Sequence, residues 1–328
     1  MQAKKRILTM LTAMMLTFPA SLMAQPERIE YYPSATYLFG QRDGADLFID
    51  VYDPAPGSET AFEGHAKPAI LWLFGGGFVG GERNDPGYSS WFKLLNDEGY
   101  RVISADYVPS LKGEKLGFKP WQLISTAKKF VKACAEVGVQ DCFAATRYIL
   151  DNAQALDVDP QRIVLAGSSA GAMIALTAEW ELVNGMPNAG VLPEGFNYAG
   201  IMSFAGAIMS GQGSPSWNSS PCPLLLFHGT EDSLVNYNKI QAFKYGIFGT
   251  SSLVERLKKQ GYPYWAVRLE GRGHDVAGSM IYLWKWEKDW LEQNVILGHG
   301  RISDETVNDP TMPSWWKGSL KVYEGLPE

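Results

Sequence analysis

The chain has little of what metal, redox and nucleic-acid chemistry is usually built from. Its 328 residues include three cysteines and four histidines, and no spacing among them suggests a metal site or calls for a cofactor. Basic residues do not prevail: 29 Lys and Arg stand against 35 Asp and Glu, a net charge of −6. The chain as a whole therefore lacks the cationic footprint of a nucleic-acid binder. Beyond the N-terminus no run is long and apolar enough to cross a bilayer, so no stable membrane insertion is expected. Nothing repeats at a fixed period and no linker divides the chain. With 46% hydrophobic residues, residues 25–328 suffice for one large core as a single domain.

Lys4, Lys5 and Arg6 open the chain, Ile7 to Met23 is almost wholly apolar or small, and Ala24 precedes Gln25. This pattern predicts a secretory signal peptide over residues 1–24, with an uncleaved anchor as the alternative, and places the protein in the periplasm or outside the cell. No cysteine follows the segment to carry a lipoprotein anchor. Removing residues 1–24 takes away those three positive charges and no negative ones, which brings the net charge from −6 to −9. In an oxidising compartment Cys134 and Cys142, eight residues apart, stand either as a local disulfide or as two thiols. Cys222, between Pro221 and Pro223, reads as a small packed residue.

Along the chain, residues 35–52 alternate around a turn at Arg42-Asp43-Gly44, the pattern of an edge hairpin. Ala69 to Phe74 is a continuous apolar run, the mark of a strand covered on both faces. Further buried strands are expected at 102–107, 162–168, 201–205, 224–228 and 265–269. Helical spacing falls at 88–98, 121–135, 141–156 (interrupted from the preceding helix at Gly138), 170–183, 253–259 and 280–295. Strands alternating with helices predict a mostly parallel central sheet with helices on both faces, an α/β class. The tail beyond Leu297 is expected to wrap the surface without a core of its own.

The most informative stretch runs from Arg162 to Leu176. A β-branched strand meets a small-residue helix across Gly167-Ser168-Ser169-Ala170-Gly171. Such a sharp strand-to-helix turn holds the central serine exposed, and only minimal residues two before and two after let the backbones pass. A serine nucleophile needs a base, and the base needs an acid to hold it. His274, in Gly271-Arg272-Gly273-His274-Asp275, sits between the last core strand and the last helix, a loop at the same end of the sheet as the serine. His65, His228 and His299 read as surface, structural and tail residues. Asp232, four residues past a strand end, fits the acid, with Glu231 as the alternative. Gly75-Gly76-Gly77, where a buried strand stops, implies close backbone approach and N–H groups free to meet an oxyanion.

Leu71 to Phe78, Gly167 to Gly171, His228 to Val235 and Gly273-His274 together resemble the α/β-hydrolase superfamily over roughly residues 45–295. Within it the resemblance is to carboxylesterases and hormone-sensitive-lipase-like esterases. That resemblance implies the α/β-hydrolase fold without a large lid domain, Ser169 as nucleophile, Asp232 as acid and His274 as base. It also implies the backbone N–H groups of Gly76, Gly77 and Ala170 as the oxyanion hole. Phe74 stands where such esterases usually carry His, and Ser168 where they carry an acidic residue.

The activity so implied is hydrolysis of a small-molecule or glycan-linked ester, acetyl or feruloyl, through an acyl-enzyme. Loops 109–120, 184–199 and 211–221, with Trp121, Trp217 and Trp315-Trp316, are expected to line the acyl or sugar pocket. A secreted serine peptidase of the same fold and a non-catalytic binding protein are the alternatives.

Overall fold

The computed structural model describes residues 29–58, 67–119 and 121–312. The expected signal peptide, His65 and Trp315-Trp316 lie outside the described residues. β1 (Ala35–Arg42) and β2 (Ala45–Tyr52) form the edge hairpin. β2 then pairs antiparallel with β4 (Arg101–Ala105). From β4 onward every pair is parallel: β3 (Ala69–Leu73), β5 (Ile163–Ser168), β6 (Gly200–Phe204), β8 (Leu224–Gly229), β11 (Trp265–Leu269) and β12 (Ser303–Val307). The nine strands lie in the order β1-β2-β4-β3-β5-β6-β8-β11-β12.

Alternation along the buried strands divides the core in two. Leu71, Leu73, Leu165, Ile201 and Leu226 face one layer. Ile70, Trp72, Val164, Ala166, Met202 and Phe227 face the other, as a period of two requires. The first layer is covered by α2 (Leu123–Val131), α3 (Val139–Asp151), α4 (Ala170–Val183) and α5 (Thr250–Gln260). The second is covered by α1 (Ser89–Asp97) and α6 (Met280–Trp290). α4 is buried on nearly every side, which is why it is built of alanine, glycine and apolar residues.

Three expectations are corrected, and the alternative left open at the cysteines is decided. The helix is not interrupted at Gly138: a π-helical segment, Lys132–Gly138, joins α2 to α3 with helical dihedrals at both ends. A Cβ on Gly138 would lie 2.6 Å from Ile174 Cδ1, so glycine serves there to let α4 approach. Cys134 and Cys142 are free and buried. Eight residues of one helix separate them by roughly 12 Å, beyond the ~7 Å that a disulfide spans. The tail contributes to the fold, because β12 adds the ninth strand alongside β11. Finally, a second sheet is present where no strand was expected. β7 (Ala207–Ser210), β9 (Lys239–Ala242) and β10 (Tyr245–Gly249) form an antiparallel sheet in the order β7-β10-β9.

Glu181 on α4 is buried, and that burial lifts its carboxyl to about 7 although Asn188 Nδ2 donates to it at 2.8 Å. A raised folded-state pKa means the group supports the fold fully below its unfolded value, near ~4.3, and ceases to as pH rises through 7. The thermal midpoint should therefore decline from about pH 4.5 to pH 7, and Glu181→Gln should flatten that decline. An unchanged slope in the variant would refute the assignment.

Candidate active site

β5 ends at Ser168 and α4 begins at Ala170, so Ser169 alone makes the turn, at φ 50° and ψ −114°. That is a conformation L-residues rarely hold unless their surroundings impose it. The surroundings are two glycines without room to spare. A Cβ on Gly167 would lie 2.4 Å from the Gly171 carbonyl carbon, and one on Gly171 2.1 Å from Leu73 O. Ser169 N–H donates to Phe204 O at 2.9 Å, tying the turn to the end of β6.

The structure brings the predicted residues together. Ser169 Oγ lies 2.7 Å from His274 Nε2, and His274 Nδ1 lies 2.7 Å from Asp232 Oδ2. All three side chains are buried. An ionised carboxylate only accepts, so the proton between Asp232 and His274 sits on Nδ1, and Nε2 of the neutral ring accepts from the serine hydroxyl. Burial alone would raise the Asp232 carboxyl, but hydrogen bonds from His228 and His274 outweigh it and bring it down to about 2. Its other oxygen accepts from the N–H groups of Leu234 and Val235 at 2.9 and 3.0 Å. Glu231, the alternative acid, is exposed.

His228 is structural, as its place at a buried strand end suggests, and it also reaches the acid. Nε2 faces Val235 O at 2.9 Å, which fixes a proton on it, and the same nitrogen stands 3.4 Å from Asp232 Oδ2. Nδ1 meets Thr250 Oγ1 at 3.0 Å. The 2.9 Å carbonyl contact is the stronger bond, and the longer contact to Asp232 is the second arm of the same N–H. Asp232 thus lies between two imidazoles.

The glycine loop is pinned from two sides. Tyr107 Oη donates to Phe74 O at 2.9 Å, and Gly75 N–H donates to Tyr88 Oη at 3.0 Å. Gly76 takes φ 138°, where a Cβ would lie 2.1 Å from Gly80 O. Gly77 follows at φ 62° and lines the same cavity as Ser169 and Ala170. Ser168 ties the serine turn to the segment that carries His274, because its Oγ donates to Ala277 O at 2.7 Å.

That cavity, about 220 Å³, is apolar, with Phe78, Phe130, Met173, Met209, Tyr245 and Ile247 in its wall. Its lining corrects the expected one. Loop 109–120 contributes Phe118, whereas Trp217 is buried in the core and neither it nor Trp121 lines the cavity. The walls come instead from α2 and the β7-β10-β9 sheet. One sequence signal points there: Lys239-Ile240-Gln241-Ala242 and Tyr245-Gly246-Ile247-Phe248 form a strand-like pair around two residues. Among the described residues no cluster of His, Cys, Asp and Glu is arranged to hold a metal ion.

Known proteins agree on the fold. A family model described as the α/β-hydrolase fold matches residues 133–197. The ethyl acetate hydrolase of Pseudomonas putida is 30% identical over 134 residues, 41% of this chain and 34% of that protein. The fumonisin B1 esterase of Sphingopyxis macrogoltabida is 30% identical over 126 residues, 38% of this chain and 21% of that protein. The matched stretch thus spans about a third or less of these relatives' length. Among solved structures, propionate-bound esterase Est2 of Thermogutta terrifontis superposes with a TM-score of 0.53 at 20% identity, covering 84% of this chain and 98% of that one. The same esterase phosphoramylated by tabun gives a TM-score of 0.54 at 19% identity, covering 84% and 99%. The chain has the α/β-hydrolase fold.

The serine turn generates a prediction. Gly171→Ala should destabilise the protein by roughly 3 kcal/mol or more, because the new methyl meets backbone that cannot retreat. Gly190→Ala, where a Cβ meets nothing within 4 Å, should change stability little. Urea denaturation of both variants checks the contrast.

Proposed function

We propose that this α/β-hydrolase-fold chain is a serine carboxylesterase that works through an acyl-enzyme. The observation that carries the reading is the continuous hydrogen-bonded path from Ser169 through His274 to Asp232, opening onto an apolar cavity. Ser169 Oγ attacks the ester carbonyl while His274 Nε2 takes its proton, and Asp232 holds and stabilises the imidazolium. The carbonyl oxygen becomes an oxyanion that the N–H groups of Gly76, Gly77 and Ala170 receive, the last at the positive end of α4. His274 then gives its proton to the departing alcohol. A water activated by the same histidine releases the acid. Low basicity at Asp232 suits this role, because the carboxylate stays ionised while the proton moves between Ser169 and His274.

The cavity supports an apolar acyl group larger than acetyl. An apolar cavity of about 150 Å³ accommodates a benzene ring, so about 220 Å³ admits a short alkyl chain or an aromatic acyl group such as feruloyl. An acetyl group would leave most of this wall without a partner. The ester relatives, which include an ethyl acetate hydrolase, support the same reaction class. Export on a cleaved N-terminal segment is part of this reading, and the N-terminal sequence of the secreted protein tests it.

Hydrolysis of p-nitrophenyl acetate, butyrate and octanoate and of methyl ferulate, by the native protein and its Ser169→Ala variant, tests the proposal. kcat/KM should rise from acetate to butyrate, and the variant should lose roughly 10⁴-fold or more. Equal turnover by the variant, or none on any ester from folded protein, would overturn it. Turnover of aminoacyl amides alone would point to a peptidase.

A further inference from the structure

The net charge conceals a strong local excess of the opposite sign. Residues 112–132 carry six lysines and one acidic residue, and residues 236–249 carry two lysines and no acidic residue. Together they hold eight of the chain's 18 lysines. These two segments supply α2 and the β9–β10 hairpin, both of which line the apolar cavity. Lys128 Nζ and Lys244 Nζ lie 5.6 and 5.5 Å from the ring of Tyr245, a residue of the cavity wall. Among the described residues of the two segments, only Lys129 pairs with a carboxylate of its own segment, Glu114 at 2.7 Å.

The same two segments expose large apolar side chains. Phe243 is 81% exposed and Trp121 76%. Leu123, Ile124 and Ile240 beside them are also exposed. Phe243 is the first of the two residues that close the hairpin, and it sits at φ 55°. A bulky aromatic at that place costs strain that glycine would avoid, and its ring meets water as well. An exposed polyanion-binding patch would have no use for it. Aromatic and aliphatic side chains among lysines suit an interface whose outer layer is anionic and whose inner layer is hydrocarbon.

We propose that the mouth of the acyl cavity docks on an anionic lipid surface. Phe243 and Trp121 enter the interface, and Lys119, Lys128, Lys239 and Lys244 face the head groups. The cavity then opens directly into the layer that holds apolar acyl esters. The proposal takes its purpose from the esterase reading but is measured without turnover, so each can fail separately.

Vesicle flotation of the native protein tests it, with phosphatidylcholine alone and with phosphatidylcholine containing one third phosphatidylglycerol, at low and high salt. Two double variants accompany it, Phe243→Ser with Lys244→Gln, and Lys119→Gln with Lys128→Gln, and thermal unfolding verifies that both are folded. Binding should require the anionic lipid and weaken with salt. It should fall about fivefold for each lysine removed, and further with Phe243. No binding to anionic vesicles at low salt, or unchanged binding by both variants, would overturn the proposal. So would equally tight binding to duplex DNA or polygalacturonate that is indifferent to Phe243, the behaviour of a general polyanion patch.

Discussion

A hydrogen atom where other residues carry a Cβ is what lets this molecule hold Ser169 in its turn at all. α4 must cross the ends of β3 and β5 so closely that Gly171 rests on the carbonyl of Leu73 and Gly167 rests on Gly171. Only at that separation is Ser169 pushed to φ 50° and its hydroxyl lifted clear of both elements. The same approach sets the N-terminus of α4 beside the glycine loop that follows β3. Strain at one residue is thus held by packing spread over two strands and a fully buried helix, which can bear it.

Electrostatics at the site follow from that placement. Asp232 is held among two backbone N–H groups and two imidazoles, and its basicity is spent on them. His274 inherits a fixed tautomer from this arrangement. Ser168 and Tyr88 complete the frame. One joins the serine turn to the His274 segment, and the other takes the N–H of Gly75.

The central sheet is legible in the sequence because its signal is local. Unbroken apolar runs such as Ala69 to Phe74 and Leu224 to Phe227 fit strands covered on both faces. The serine turn, the glycine loop and the His274 loop are legible because each demands a residue type at a fixed spacing. What escapes depends on distant partners. β12 is a strand because β11 offers it an edge, while its own sequence, Ser-Asp-Glu-Thr-Val, has no buried pattern. β7 and β10 pair across some 35 residues of chain, and the cavity wall they build cannot be read from either alone. Gly138 misleads because glycine commonly ends helices, whereas here it makes room for Ile174.

The two thiols inside the α2–α3 helix give the molecule a property unrelated to catalysis. Cys134 and Cys142 are fully buried, and burial pushes both thiols up, Cys142 to about 12. With no disulfide linking them, the fold does not need an oxidant to form and does not lose a cross-link under reduction. A thiol that is both hidden and protonated reacts only when its helix opens. Two silent clocks therefore lie within the α2–α3 helix, and the rate at which they become reactive is the rate at which that helix opens.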